Sequence, residues 1–234
     1  MKLKAVLFDL HGTLFYGPDH RFLFRELTRR LKEAGASIQD SEEVEVKLAS
    51  RCLRQGSREV DFEGVLRECF DGYVDQAFKL YLKLAVETRT LFDDALPTLE
   101  ELSSMGFKLG AVTNALSDVV MKSIVQHLGL AKYFEEVVTS AKVGFRKPDV
   151  RIFLEGLRSL GVRPREALFV GDSLLEDVNG ALSAGMYAAW INRDHAFACP
   201  GPYIVLRTLK ELPSLVDSTS MQASHIYLPL SKLD

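Results

Sequence analysis

The stretch Ala5-Val6-Leu7-Phe8-Asp9-Leu10-His11-Gly12-Thr13-Leu14 decides the fold. An apolar, partly β-branched run stops abruptly at an aspartate, and a Gly-Thr turn follows. Such a run reads as a strand buried on both faces, the kind found inside a parallel sheet. An Asp at the carboxyl end of that strand faces the crevice where open α/β sheets bind ligands. Its carboxylate can act there as a nucleophile, forming an acyl-phosphate or an ester. Gly12 lets the chain turn tightly beside a bound group. Asp9 could equally cap the following turn. The ten residues alone leave both readings open, and three later segments decide between them.

The remainder of the chain suits a folded α/β protein. It has 234 residues, is 47% hydrophobic and carries a net charge of −3. That length allows one large domain or two modest ones with a real core. The charge gives no general pull toward nucleic acid or an anionic membrane. Cys52, Cys69 and Cys199 are widely spaced and form neither a metal-ligand pattern nor a disulfide framework, so a reducing compartment is expected. No apolar run is long enough to span a bilayer, and the N-terminal apolar run is too short for a cleavable signal. The expected location is the cytoplasm.

After Leu14 the pattern changes. Gly17-Pro18-Asp19 is turn-rich, and from about 20 to 89 only helical spacing is present. Phe24, Leu27, Leu31 and Ala34 share one helix face, and Val44, Leu48 and Cys52 mark a second helix. A third helix is expected from Phe62 through Tyr81 and Leu82, where apolar residues keep three-and-four spacing throughout. Strand–helix alternation then begins. Strands are expected at 107–112, 136–139, 167–170 and 186–191, with helices at about 93–105, 117–128, 148–160 and 176–184. Pro148 is expected at the start of its helix. This alternation predicts a parallel sheet with helices on both faces, a Rossmann-like arrangement. The expected division is a core of 1–16 and 91–215, a helical insertion of 17–90, and a tail of 216–234 in which 225–228 could form a stray strand.

Asp9, Thr113 and Asp172 each follow or close an expected strand, so a parallel sheet brings these distant residues to one crevice. Lys147 stands just before a helix start, where backbone amides already favour anions. Asp172 and Asp177 flank the start of another helix, and Asn114 follows Thr113.

On these motifs the sequence resembles the haloacid dehalogenase superfamily of hydrolases, over 1–16 and 91–215 by motif and over 17–90 by the place of a helical cap. The resemblance implies that Asp9 is the nucleophile and that Thr113, with Asn114 beside it, binds the transferred group. It implies that Lys147 neutralises the nucleophile and phosphate. Asp172 resembles the metal ligand in Gly171-Asp172-Ser173, and Asp177 the second acidic residue supporting Lys147 and the metal site. The implied metal is Mg2+, held by Asp9, the main-chain carbonyl of His11 and Asp172. Phosphatases of the superfamily carry a second Asp two residues after the nucleophile; here that position is His11, which can serve as acid and base because histidine titrates near neutrality.

Three functions are therefore weighed. The first is a magnesium-dependent phosphatase working through an aspartyl-phosphate, on a small phosphorylated metabolite. The second is a 2-haloacid dehalogenase, which needs no metal and lacks the Gly-Asp-Ser form. The third is a phosphometabolite-binding protein whose chemistry is impaired at His11. No nucleic acid or membrane partner is expected, and the protein is expected as a monomer or homodimer. Within the cap, Arg21, Arg25, Arg54 and Arg58 are candidates to contact an anionic tail, with solvated surface as their simpler reading.

Overall fold

The computed structural model describes residues 3–38, 40–53, 56–193 and 201–217. Its centre is β1 (Ala5–Phe8), whose four residues are all buried. Ala5 and Leu7 point to one face of the sheet, and Val6 and Phe8 to the other. That is the period-two pattern of a strand covered on both sides. Around it run β4 (Lys108–Thr113), β5 (Glu136–Thr139), β6 (Ala167–Gly171), β7 (Tyr187–Ile191) and β8 (Ile204–Leu206), in the order β5-β4-β1-β6-β7-β8. Every pairing in this sheet is parallel.

Helices cover both faces. After the one-turn α7 (Ser140–Val143), one face carries α8 (Val150–Leu160) and α9 (Asn179–Ser183), through Ile152, Phe153, Leu157 and Ala181. The other carries α5 (Ala95–Ser104), α6 (Asp118–His127) and α10 (Leu212–Val216), through Leu99, Leu102, Ile124, Leu212 and Val216. No helix among the described residues is long and apolar enough to cross a membrane.

Between β1 and the rest of the sheet stand two short strands, β2 (Phe15–Tyr16) and β3 (Thr90–Leu91), paired antiparallel as Phe15 with Leu91 and Tyr16 with Thr90. From this ladder hang α1 (His20–Glu33), α2 (Ser41–Cys52), α3 (Phe62–Cys69) and α4 (Val74–Glu87). Asp19, Asp40 and Asp61 cap the first three by accepting backbone N–H bonds. Their apolar faces meet in one cluster that is continuous with one face of the sheet.

The expected helix over 62–82 is thus two helices. Gly72 adopts φ +77° and the Tyr73 amide bonds back to Phe70, closing a turn between them. The apolar spacing runs on across the break because Phe62, Val65 and Leu66 before it face the same core as Ala77 and Tyr81 after it. Pro148 does not start α8 either. Asp149 is the cap, accepting from the Arg151 amide at 3.0 Å, and the helix begins at Val150. The expected helix at 176–184 begins as a π-helical turn over Leu174–Val178 before α9. Strand β8 was not expected. Residues 218–234 of the tail, with the stray strand at 225–228, lie outside the described residues, as do Arg54 and Cys199.

Candidate active site

Because β4, β1 and β6 are neighbours and parallel, Thr113, Asp9 and Asp172 arrive side by side at one end of the sheet. They line a crevice of about 270 Å³ together with His11, His20, Asn114, Lys147, Ser173, Glu176 and Asp177. Lys147 reaches in from the loop before α8. Its Nζ donates to Asp9 Oδ1 at 2.5 Å and to Asp177 Oδ1 at 2.6 Å, with only 2% of its side chain exposed.

The backbone around these groups is fixed by their neighbours. The second Asp177 oxygen accepts from the Ser173 amide at 2.9 Å. The Trp190 indole donates to the Asp172 carbonyl at 2.8 Å, which holds the turn after β6. Gly12 adopts φ +87°, and a Cβ there would fall 2.3 Å from Asp172 Oδ2. The close approach of the first turn to Asp172 therefore needs glycine. At Gly171 a Cβ would fall 2.4 Å from the Asp177 carboxylate, which imposes the same need for a bare backbone.

Asp9, Asp172 and Asp177 each place an oxygen within 4.8 Å of the others. Against these three carboxylates stands one lysine. Burial, then the Asp9 and Asp177 charges, push the Asp172 carboxyl up. Burial also pushes Asp177 up, against the opposing pull of Lys147. Burial alone would lower the Lys147 ammonium, but Asp177 and Asp9 raise it, so it stays charged. The cluster is short of positive charge, and its donors are all oxygen, which suits a hard divalent cation. Both Asp177 oxygens are already bonded, so Asp9 and Asp172 fit that ion better, and Asp177 orients Lys147.

Asn114, expected beside the transferred group, lines the crevice with its amide turned to the lysine loop. Its Oδ1 accepts from the Lys147 amide at 2.8 Å, while its Nδ2 donates to the Lys147 carbonyl at 3.3 Å and to Glu176 Oε2 at 3.2 Å. The amide is committed to holding the lysine loop. His11 lines the crevice, and its Nε2–H donates to the Gly17 carbonyl at 3.3 Å. Burial, then the Arg89 charge, hold its pKa below the ordinary 6.5, so the ring rests neutral at pH 7.

Sequence reasoning missed His20, and gave Ser173 and Glu176 no role of their own beside Asp172 and Asp177. His20 comes from the helical unit, where only the three-dimensional fold returns α1 to the sheet end. Arg21, Arg25 and Arg58 are exposed and line neither the crevice nor the cavity next to it, and Arg25 faces Glu45 at 3.7 Å. The helical unit touches the lysine loop through 57–59. The Arg146 amide donates to the Ser57 carbonyl at 2.8 Å and the Glu59 amide to Gly144 at 3.0 Å. The buried Glu59 carboxylate accepts from Arg146 Nη1 at 2.9 and 3.1 Å and from the Ser140 hydroxyl.

Known proteins resemble this chain in sequence and in fold. A glyceraldehyde 3-phosphate phosphatase of Methanopyrus kandleri is 36% identical over 208 residues, 82% of this chain and 84% of its own length. The structure of an HAD phosphatase from Thermococcus onnurineus superposes with a TM-score of 0.70 at 31% identity, covering 92% of this chain and 98% of its own. A 2-haloacid dehalogenase from Pseudomonas syringae superposes with a TM-score of 0.73 at 26% identity, with the same coverage. The family model of the haloacid dehalogenase-like hydrolases matches residues 3–185, so the chain belongs to that family, with phosphoric monoester hydrolysis as its enzyme class.

Proposed function

We propose that the protein is a magnesium-dependent phosphatase of small phosphorylated metabolites, working through an aspartyl-phosphate on Asp9. The observation that carries this reading is the surplus of carboxylate over ammonium in the crevice: three clustered aspartates, with Glu176 also in the lining, against one lysine. Displacement of halide from carbon would not call for Asp172, whereas a dianionic substrate in the same crevice would be repelled unless a cation were present. Magnesium, held by Asp9, Asp172 and the main-chain carbonyl of His11, would supply that charge.

The chain's own groups do the rest. Lys147 holds Asp9 Oδ1 and so fixes the carboxylate's rotamer. An Asp9 oxygen attacks phosphorus in line; its O–P bond forms as the bond to the leaving oxygen breaks, and the alkoxide takes its proton from a solvent water, leaving hydroxide to the bulk. Water then attacks the same phosphorus, releasing phosphate and restoring the Asp9 carboxylate. Thr113 and Lys147 face the oxygens of the transferred group, where positive charge and N–H or O–H donors stabilise the transition state. The neutral His11 ring keeps one nitrogen open to accept a proton from that water, with its other N–H on Gly17. The helical unit of 17–90 acts as the cap that excludes bulk water during transfer. The substrate is a short phosphomonoester, in keeping with the Methanopyrus relative, whose name specifies a three-carbon phosphate.

The test measures phosphate release from p-nitrophenyl phosphate and halide release from 2-chloropropionate, each with magnesium and with excess chelator. The expected result is magnesium-dependent phosphate release that falls at least about a thousandfold in Asp9→Asn with the fold retained. Chelator-insensitive halide release would overturn the reading.

A further inference from the structure

A second, narrower cavity of about 50 Å³ opens off the crevice between α1, α4 and α6, sharing His11, His20 and Asn114 with it. Its inner wall is apolar, formed by Leu116, Val120, Met121 and Ile124, and no carboxylate lines it. Arg89 does. This arginine is half-buried, and Nη1 donates to the Pro18 carbonyl at 3.0 Å and to the Thr88 hydroxyl at 3.3 Å. Among the described residues it meets no carboxylate within ion-pair distance. Arg30, Arg146 and Arg193, the other half-buried arginines among the described residues, meet Glu26, Glu59 and Asp94 respectively. An arginine left without its anion in an apolar recess is costly unless something else brings the negative charge.

We infer that this cavity is the leaving-group subsite and that Arg89 reads a carboxylate there, so that the substrate is a phosphomonoester of a two- or three-carbon hydroxy acid. The inference rests on the phosphatase reading above. Size and charge both point this way. At about 10–15 Å³ per water position, the cavity holds only a handful of heavy atoms, enough for a carboxylate and a carbon or two but not for a sugar or nucleoside. A guanidinium takes a carboxylate with two parallel N–H bonds. A second phosphate would ask for more cationic donors than one arginine offers, since the polar groups of His11, His20, Tyr81 and Asn114 already bond to other partners. His20 is held by Tyr81, whose hydroxyl lies 2.8 Å from Nδ1, and burial and the Arg89 charge push its pKa down to about 4. Arg89 is therefore the cavity's permanent cation.

The experiment compares matched substrates with magnesium: phosphoglycolate against 2-hydroxyethyl phosphate, and 3-phosphoglycerate against glycerol 3-phosphate. Wild type is expected to favour the carboxylated member of a pair by roughly ten- to a hundredfold in kcat/KM, the worth of a charge-assisted bond. In Arg89→Gln that ratio should fall at least about tenfold, and Arg89→Lys should restore part of it. A merely structural role for Arg89 would lower both members alike and leave the ratio in place. If Arg89→Gln does not fold, the wild-type ratios and inhibition by glycolate against ethylene glycol decide. Ratios near one in wild type would overturn the inference, as would a ratio retained in Arg89→Gln or a preference for ethylene glycol bisphosphate. Hydrolysis of p-nitrophenyl phosphate with such ratios overturns this inference alone; no phosphomonoester hydrolysis at all overturns the phosphatase reading with it.

Discussion

Two carboxylate sites lie close to the turn after β1, and they differ in how far their negative charge is compensated. In the crevice, Asp9, Asp172 and Asp177 share one lysine, and burial drives two of them upward. At the start of α5, the Asp94 carboxylate accepts from Arg193 at 2.9 and 3.0 Å, from the Thr208 hydroxyl at 2.7 Å and from the Leu209 amide at 2.9 Å. Burial pushes Asp94 up as well, but these four bonds outweigh it and hold the carboxyl below its usual range. Arg193 also donates to the Thr13 carbonyl at 2.7 Å and stacks on Phe92 at 3.7 Å. The Asp94 carboxylate is thus a compensated pin joining 92–94, the turn after β1 and 208–209. The difference teaches where to look for chemistry: the compensated cluster holds the fold, and the under-compensated one waits for charge from a ligand.

The largest effect should come from removing the one cation of the crevice. Lys147→Met leaves Asp9 and Asp177 buried without a cation and should cost about 3–5 kcal/mol in urea unfolding, with loss of nearly all turnover. A stability change within about 0.5 kcal/mol would erase the contrast between the clusters. Next, magnesium should raise the melting temperature of wild type. Saturation at a hundred times Kd is worth about 2.7 kcal/mol, and Asp172→Asn should abolish the rise while Asp94→Asn keeps it. The smallest effect concerns Asp94 itself. A carboxyl lowered on folding stabilises the protein above its unfolded pKa of about 3.9 and loses that contribution as pH falls through its folded value. Asp94→Asn should therefore cost about 2 kcal/mol at pH 7 and distinctly less near pH 3, read from denaturant midpoints at both pH values. An equal penalty at both would show that shape rather than charge matters there.

The parts of the site that lie at strand ends were legible in the sequence, because a parallel sheet converts strand ends into neighbours whatever the loops do. Asp9, Thr113 and Asp172 follow from that rule. Lys147 followed from its place before a helix, although the cap proved to be Asp149. What stayed hidden depends on side-chain direction and on packing between distant elements. Nothing in Thr113-Asn114 says that the amide turns back to clamp the Lys147 loop. Spacing alone cannot reveal the break at Gly72, since both helices face one core. Strand β8 is three residues long and gains its identity only by pairing with β7. His20 and Arg89 sit at the two ends of the helical unit, and only its packing carries His20 to the crevice and Arg89 to the cavity beside it.

The β2–β3 ladder has a consequence for how the chain folds. Strands β1 and β4 are nearest neighbours in the sheet, yet about a hundred residues separate them along the chain. Once Phe15 and Tyr16 clasp Leu91 and Thr90, the intervening helices drop out of that loop, and the free chain between the two strands shortens to about two dozen residues. The closure entropy saved is about 1 kcal/mol. A helical unit that assembles early would thus act as a splint for the central sheet, lowering the effective contact order of its first parallel pair.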